Sequence, residues 1–265
     1  MATPTSDADA APERDSLQAL ARGLAALSAF GPGRSALTLS DVARLTGMTR
    51  ASARRILLTF EALGYVRFED RHFSPTLRVL DLGWAFLDSL HVDDVAKPVM
   101  EDVCAELHES VALCALDGPD IVYLARVHTP HLLIVPGGLG ARLPASATAS
   151  GRVLLAELEP HELEATLRAA PPVAHTHRSV VDADAFATLI EAVRRRGWAI
   201  VDEELEMGLR AIAAPVRDGS GDVVAALGIS SSTSRVTVDN LQDRCLPALL
   251  AATERISAGL EARGS

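Results

Sequence analysis

The sequence predicts an α+β protein: a winged helix–turn–helix at the N-terminal end, a linker helix, and a larger C-terminal domain of helices on an antiparallel sheet. Three observations predict it. Residues 38–73 read as helix, tight turn, helix and short hairpin, and they are strongly basic. Residues 77–90 form a helical pattern that is apolar on two sides. Beyond them, two sets of three strand-like runs are separated and flanked by helical periodicity, with turns of the hairpin kind between neighbouring strands. Sheets built from adjacent hairpins are antiparallel and pack helices on their faces.

In chain order, residues 1–15 are polar and rich in Ala, Pro and Asp. They lack the basic start and apolar run of a signal peptide and read as a disordered tail. Leu17, Leu20, Leu24 and Leu27 give a helix with a narrow apolar seam, ended by Gly31-Pro32-Gly33. Leu39, Val42 and Leu45 then place a short helix with Ser40 as candidate N-cap, and Gly47 permits the tight turn. Thr49 caps a second helix, on which Ala53, Ile56, Leu57, Phe60 and Leu63 share the core face. Thr49, Arg50, Ser52, Arg54 and Arg55 remain for the first exposed turns. A helix with an apolar inner face and arginines on its outer first turns suits a DNA major groove. Tyr65 to Phe68 alternates as a strand, Glu69-Asp70-Arg71 turns, and His72-Phe73 returns. Arg67, Arg71 and His72 on this wing are candidate phosphate or minor-groove contacts.

Helical hairpins alone are weak signals, and charge sharpens this one. Residues 34–78 carry eight arginines against four acids, while the whole chain has a formal charge of −10, so the rest sums to −14. A basic island in an acidic protein is an electrostatic footprint for nucleic acid.

Leu77, Leu80, Trp84 and Leu87 step like heptad positions, and Val79, Leu82, Phe86 and Leu90 add a second apolar side. Such a helix is buried either wholly in one core or by both its own chain and a partner. His91 to Asp94 marks a boundary, and Pro98 sits early in a helix carrying Val99, Val103 and Leu107. The segmentation is then 1–15, 16–75, 76–91 and 92–265. In the last segment, strands at 111–116 and 121–127 flank Asp117-Gly118-Pro119-Asp120, and a third runs over 132–135. Helices are expected at 150–158, 160–168 and 183–196, the last capped by Asp182. Strands follow at 198–202, 211–217 and 223–230, and a final helix at 238–262 has Pro247 as a possible kink.

Several enzyme classes find no support. Three dispersed cysteines give neither a disulfide framework nor a zinc pattern, and no G-x-S-x-G elbow occurs. The turn Gly137-Gly138-Leu139-Gly140 lacks the Lys-Ser/Thr of a phosphate cradle and reads as a loop. His128/His131 and His175/His177 read as surface histidines rather than metal pairs. Asp202-Glu203-Glu204, as consecutive strand residues, would not converge. No cofactor and no metal are expected, and neither signal peptide nor membrane-length apolar run is found, so the expected location is the cytoplasm. One segment does suggest a ligand: Pro144 to Gly151 packs small residues and hydroxyls at a helix start, which serves either as a cap or as an anion site, with Arg142 and Arg152 nearby. Arg126 and Arg210 could each meet a carboxylate, or pair with the acids at 202–204, the latter reading being favoured for Arg210.

The runs SLQALARGLAALSAF, LTLSDVARLTGMTRASARRILLTFEALGYV, SPTLRVLDLGWAFLDSL, LPASATASGRVLLAELEP and RRRGWAIVDEELEMGLRAIAAPVRDGSGDVVAALGISSS together resemble the isocitrate-lyase-regulator (IclR) family of bacterial transcription factors. The run GYVRFEDRHFSPTLRVLDLG is most similar to the subgroup governing protocatechuate and p-hydroxybenzoate catabolism. The likeness spans nearly everything after about residue 16. It implies a GAF-like effector-binding domain, operator DNA and a small organic-acid effector as partners, and a homodimer or homotetramer assembled partly through the first and linker helices. It also implies an effector pocket at Thr148, Ala149, Ser150, Leu209, Ala211, Gly228 and Ser230. Some relatives carry Cys near Ala211 and Ser near Gly228, a departure that bears on the effector. Two readings from other classes are a small-molecule-processing enzyme with an accessory basic domain, and a DNA-binding structural protein without effector.

Overall fold

The computed structural model describes residues 17–31, 33–89, 91–129 and 138–264. The tail at 1–15, Pro32, Leu90, His131, the strand expected at 132–135 and Gly137 lie outside the described residues. Contacts divide the chain into two compact units, Met1–Ala85 and Phe86–Ser265.

The first unit starts with α1 (Gln18–Ser28). Strand β1 (Leu37–Thr38), α2 (Leu39–Thr46), α3 (Arg50–Ala62), β2 (Val66–Glu69) and β3 (His72–Pro75) follow. Thr38, not Ser40, caps α2. Its hydroxyl accepts from the Asp41 amide while the Asp41 carboxylate accepts from the Thr38 amide, a reciprocal capping box. That hydrogen bonding, with Arg44 close by, holds the Asp41 carboxyl below its ordinary range. Gly47 takes the left-handed conformation the turn requires, φ 68°. The Thr49 hydroxyl then accepts from the Ser52 amide and opens α3. Ala26, Val42, Ala53, Leu57, Val66 and Phe73 form the core. Leu63, expected on the buried face of α3, is exposed because the helix has already ended at Ala62. The wing is a three-stranded antiparallel sheet in the order β1-β3-β2. Asp70 and Arg71 at its tip both have positive φ, matching the twist of a tight hairpin.

Helix α4 (Asp81–Ser89) is shorter than the helix expected over 77–90, because residues Leu77–Leu80 are wound as a 3-10 turn. Thr76 caps that turn, and Arg78 ties it back by donating to the Leu63 carbonyl at 2.7 Å.

In the second unit, α5 (Lys97–Leu107) leads into β4 (Ser110–Asp117) and β5 (Asp120–Val127). Next come β6 (Arg142–Pro144), α6 (Ala149–Glu157), α7 (Pro160–Ala169) and α8 (Ala183–Arg196). Strands β7 (Ala199–Asp202), β8 (Leu209–Arg217) and β9 (Val223–Ser232) follow, then the single turn α9 (Val238–Asn240) and α10 (Leu246–Gly264). All six strands form one antiparallel sheet in the order β6-β5-β4-β9-β8-β7. Alternation along β8 and β9 sends Ile212, Ala214, Leu227 and Ile229 to one face, under α5 and α10. It sends Ala213 and Ala226 to the other, under α6 and α8. The final helix is interrupted as expected near Pro247, by a π turn at Leu241–Cys245. A second π turn, Val92–Ala96, stands at the same distance before Pro98. Proline lacks an N–H and crowds the carbonyl four residues back, so a widened turn relieves the clash.

Candidate nucleic-acid interface and ligand cavity

In the first unit, the candidate DNA-contacting residues fall into three groups. Arg50 and Arg54 lie one turn apart on the exposed side of α3 and form no ion pair among the described residues. Exposed Thr49 spends its hydroxyl on the helix cap. Ser52 and Arg55 turn toward α1, where they border a groove with Leu20, Leu24, Ile56 and Phe60. On the wing, Arg67 lies 3.6 Å from Glu69, Arg71 is exposed at the tip, and the His72 Nδ1 is 2.8 Å from the Asp70 carbonyl oxygen. Two arginines of the basic island have structural work: Arg44 pairs with Asp41, and Arg78 caps the end of α3. The island's remaining positive charge is therefore carried by Arg34, Arg50, Arg54, Arg55, Arg71 and partly Arg67.

In the second unit, one narrow cleft opens over the sheet, with a cavity volume of about 40 Å³. Its floor is the sheet face on which small residues meet. Ala112 pairs with Gly228 across β4 and β9, and Ala211 pairs with Ser230 across β8 and β9. Short side chains on adjacent strands leave room above the sheet, and the first turn of α6 closes over it. There the Thr148 hydroxyl accepts from the Gly151 amide at 3.1 Å. The amides of Ala149 and Ser150, at the first two helical positions, have no helical acceptor and belong to residues lining the cleft. Two glycines make the fit possible. A Cβ on Gly228 would stand 2.7 Å from the Ser150 Oγ, and one on Gly151 only 2.2 Å from the Ala145 carbonyl oxygen.

All seven residues named from the sequence, Thr148, Ala149, Ser150, Leu209, Ala211, Gly228 and Ser230, line this one cleft. Sequence reasoning missed Ala112, Ile121, Tyr123, Leu143, Val201 and Leu205, which with Ala147 and Arg210 complete its walls. The alternation of β4 and β5 could have placed Ala112 and Tyr123 on a common face, but a register shift between Leu113 and Cys114 pairs Tyr123 with Cys114 and Ala112 with Arg126, which a strict alternation does not foresee.

Burial governs the ionisation of groups around the cleft. It pushes the Cys114 thiol up to about 12, against the opposing pull of the Ser150 hydroxyl and Arg126. It also pushes the Tyr123 phenol up to about 12, aided by Cys114 and opposed by Arg126. Tyr123 therefore stays protonated and able to donate. Arg126 lies over its ring, 4.5 Å from the centroid. The exposed His128 is held below its ordinary value by desolvation and by Arg126.

Of the other candidate cations, Arg142 and Arg152 are committed elsewhere, whereas Arg210 lines the cleft and keeps a buried Nε without a hydrogen-bond partner among the described residues. Arg142 pairs with Asp117 and Asp120. Buried Arg152 grips Glu204, and Arg210 pairs with Asp202 at 2.8 Å while donating to the Val236 carbonyl. Neither Arg142 nor Arg152 is thus the anion partner that proximity in sequence suggested. Only Asp202 of the three acids is in a strand. Glu203 adopts φ 58°, and, contrary to the expectation that the acids diverge, the Asp202 and Glu203 carboxylates meet at one nitrogen of Arg178, at 2.9 and 3.2 Å, while Glu204 goes to Arg152. Among the described residues no group of three or more His, Cys, Asp or Glu is placed to hold a metal ion, and no helix is long and apolar enough to cross a membrane.

Comparison with known proteins agrees with this geometry. The IclR helix-turn-helix domain matches residues 19–70, and the C-terminal domain of the bacterial transcriptional regulator IclR matches residues 84–258. The Pca regulon regulatory protein of Pseudomonas putida is 41% identical over 240 residues, covering 90% of this chain and 82% of that protein. The p-hydroxybenzoate hydroxylase transcriptional activator of Acinetobacter baylyi is 37% identical, covering 89% of each. The crystal structure of an IclR homologue from Microbacterium hydrocarbonoxydans, complexed with 4-hydroxybenzoate, superposes with a TM-score of 0.81 at 26% identity, covering 93% of this chain and 100% of that one. A basic winged helix–turn–helix, an antiparallel α+β domain with a cleft over its sheet, and these likenesses place the chain in the IclR family of bacterial transcriptional regulators.

Proposed function

We propose that this regulator binds operator DNA through its winged helix–turn–helix and takes a benzoate-type organic acid, such as p-hydroxybenzoate, protocatechuate or a ring-cleavage product, in the cleft over its sheet. The observation that carries the reading is the cleft itself. The Ala149 and Ser150 amides at the start of α6 offer a carboxylate donors and a favourable dipole, and the Ser230 hydroxyl lies on the same lining. Ile121, Leu143, Val201, Leu205 and Leu209 supply apolar walls suited to a ring. The 4-hydroxybenzoate carried by the Microbacterium homologue and the aromatic-acid regulators among the relatives support the same class.

On the DNA, Arg50 and Arg54 enter the major groove, Thr49 and Arg55 flank it, and Arg67, Arg71 and His72 contact the backbone or minor groove. Ser52, facing the groove beside α1, contributes through packing. The functional segments are 16–75 for DNA, 76–91 as linker and 92–265 for the effector, and the protein works as a homodimer or homotetramer. The effector acts by binding one arrangement of the DNA-reading heads better than another. A non-enzymatic role follows from the same reading, since the relatives are named regulators.

The test is fluorescence anisotropy on the intergenic DNA beside the gene, over a salt series, with and without p-hydroxybenzoate and protocatechuate. We expect tight binding that weakens steeply with salt and changes when one of the acids is added. Binding indifferent to both acids would overturn the aromatic-acid assignment, and no preference over unrelated DNA would overturn the operator.

A further inference from the structure

We infer that the buried Arg152–Glu204 pair is a positioning clamp for the cleft: it locks the loop 203–208, whose Leu205 forms part of the wall, to the helix start that lines the same cleft, so ligand affinity depends on a contact that never touches the ligand. The inference rests on reading the cleft as the effector site.

Arg152 is 1% exposed and sits three residues after the Ala149 lining position. Its Nη1 and Nη2 donate to the two Glu204 oxygens at 2.7 and 2.5 Å, and its Nε donates to the Ser146 carbonyl at 2.9 Å. That bidentate fork fixes orientation as well as distance. Glu204 immediately precedes Leu205, which lines the cleft, and the same segment feeds Leu209, the first residue of β8. The segment is fastened from outside as well. The Thr176 hydroxyl donates to the Glu203 carbonyl at 2.6 Å, the Ser179 hydroxyl to the Glu204 carbonyl at 2.7 Å, and the Val180 amide to the Glu204 carboxylate at 3.2 Å. Inside the segment, the Glu203 carboxylate accepts from the Gly208 amide at 2.8 Å and closes the loop on itself.

Every strong contact of residues 203–204 therefore serves to place the loop that carries Leu205. Against well-packed apolar residues, a buried ion pair is a poor source of net stability. Its bidentate geometry suits it to setting where a wall stands. Without it the wall samples open positions, and apparent affinity falls with the fraction of time it is closed.

The experiment uses the full chain and two variants, Glu204→Gln and the double variant Arg152→Met/Glu204→Leu. The second removes the pair without leaving a buried charge and decides the matter if the first fails to fold. Calorimetric titration with p-hydroxybenzoate is paired with amide hydrogen exchange in the absence of ligand. We expect Kd to rise about tenfold in Glu204→Gln and less in the double variant. Exchange should speed up at residues 203–208 while β4 and β9 keep their protection. Unchanged Kd in both variants, or exchange that rises evenly across the second unit, would overturn the clamp. Should the wild-type chain bind no p-hydroxybenzoate, the aromatic-acid reading falls, and the exchange pattern still decides whether the pair positions the wall.

Discussion

Gly228 and Gly151 show how much of the cleft depends on atoms that are missing. Gly151 meets backbone, the Ala145 carbonyl, which cannot swing aside. Gly151→Ala should therefore cost at least about 2 kcal/mol through overpacking and shift the thermal unfolding of the protein. Gly228 meets only the Ser150 hydroxyl, the end of a side chain that can rotate. Gly228→Ala should fold with a near-normal Tm yet bind p-hydroxybenzoate more weakly, because the new methyl takes floor space and displaces Ser150; equal affinity would show that the floor lies outside the ligand's reach. Cys114 and Tyr123 add a pH dependence of definite sign. Both hold their protons in the folded state up to about pH 12, while the unfolded chain releases them from about 9 and 10. Stability they confer is intact below about pH 9 and is lost as pH climbs toward 12. The Tm should fall between pH 8 and about pH 10.5, and Cys114→Val should flatten that fall. At this scale the sequence is legible where the spacing of a helix start is informative, as at Thr148 to Ser150. It is mute on Gly228 against Ser150, a contact between residues 78 positions apart.

The elements themselves are easier to read than their ends. Helix α3 is legible because its apolar repeat coincides with a cap at Thr49 and a turn at Gly47. The start of α2 is misread because Ser40 and Thr38 are both good caps, and only Thr38 has an acid three residues on to complete the reciprocal bond. Strands β1 and β6, with two and three residues, are too short to carry a period. Glu203 and Glu204 read with Asp202 as consecutive strand residues, yet they fold in a loop, where Glu203 takes a left-handed conformation and its carboxylate accepts from the Gly208 amide. The division of α3 between an outward side and a side facing α1 makes the DNA prediction sharper. Arg54→Ala should weaken operator binding by about 1–3 kcal/mol with Tm unchanged. Ser52→Ala should do much less. A loss of Tm in Arg54→Ala that matches the loss of affinity would mean this arginine supports the fold.

The whole molecule presents a conflict that a single chain does not resolve. Within residues 17–84, Leu17, Leu20, Leu24, Leu77, Leu80, Leu82 and Trp84 are exposed, Leu77 at 83% and Leu17 at 74%. Leu20, Leu24 and Leu82 border the same groove between α1 and α3. Periodicity marked these side chains as buried, and the marking is right about their chemistry while silent about what covers them. Large contiguous apolar patches on soluble chains mark interaction sites, and a two-fold arrangement of DNA-reading heads is what paired half-sites require. We expect a second copy to cover this surface. Leu80→Glu puts a charge at a position 65% exposed in the single chain, where it is harmless unless a partner buries it. Sedimentation velocity should give a dimer or tetramer for the wild-type protein and a smaller species for Leu80→Glu, with circular dichroism unchanged. Operator affinity should fall in parallel, since two linked heads gain over one by their effective concentration. A variant that keeps its assembly and its affinity would leave the exposed leucines of the 3-10 turn and α4 outside the interface, and would direct attention to the α1 side of the groove.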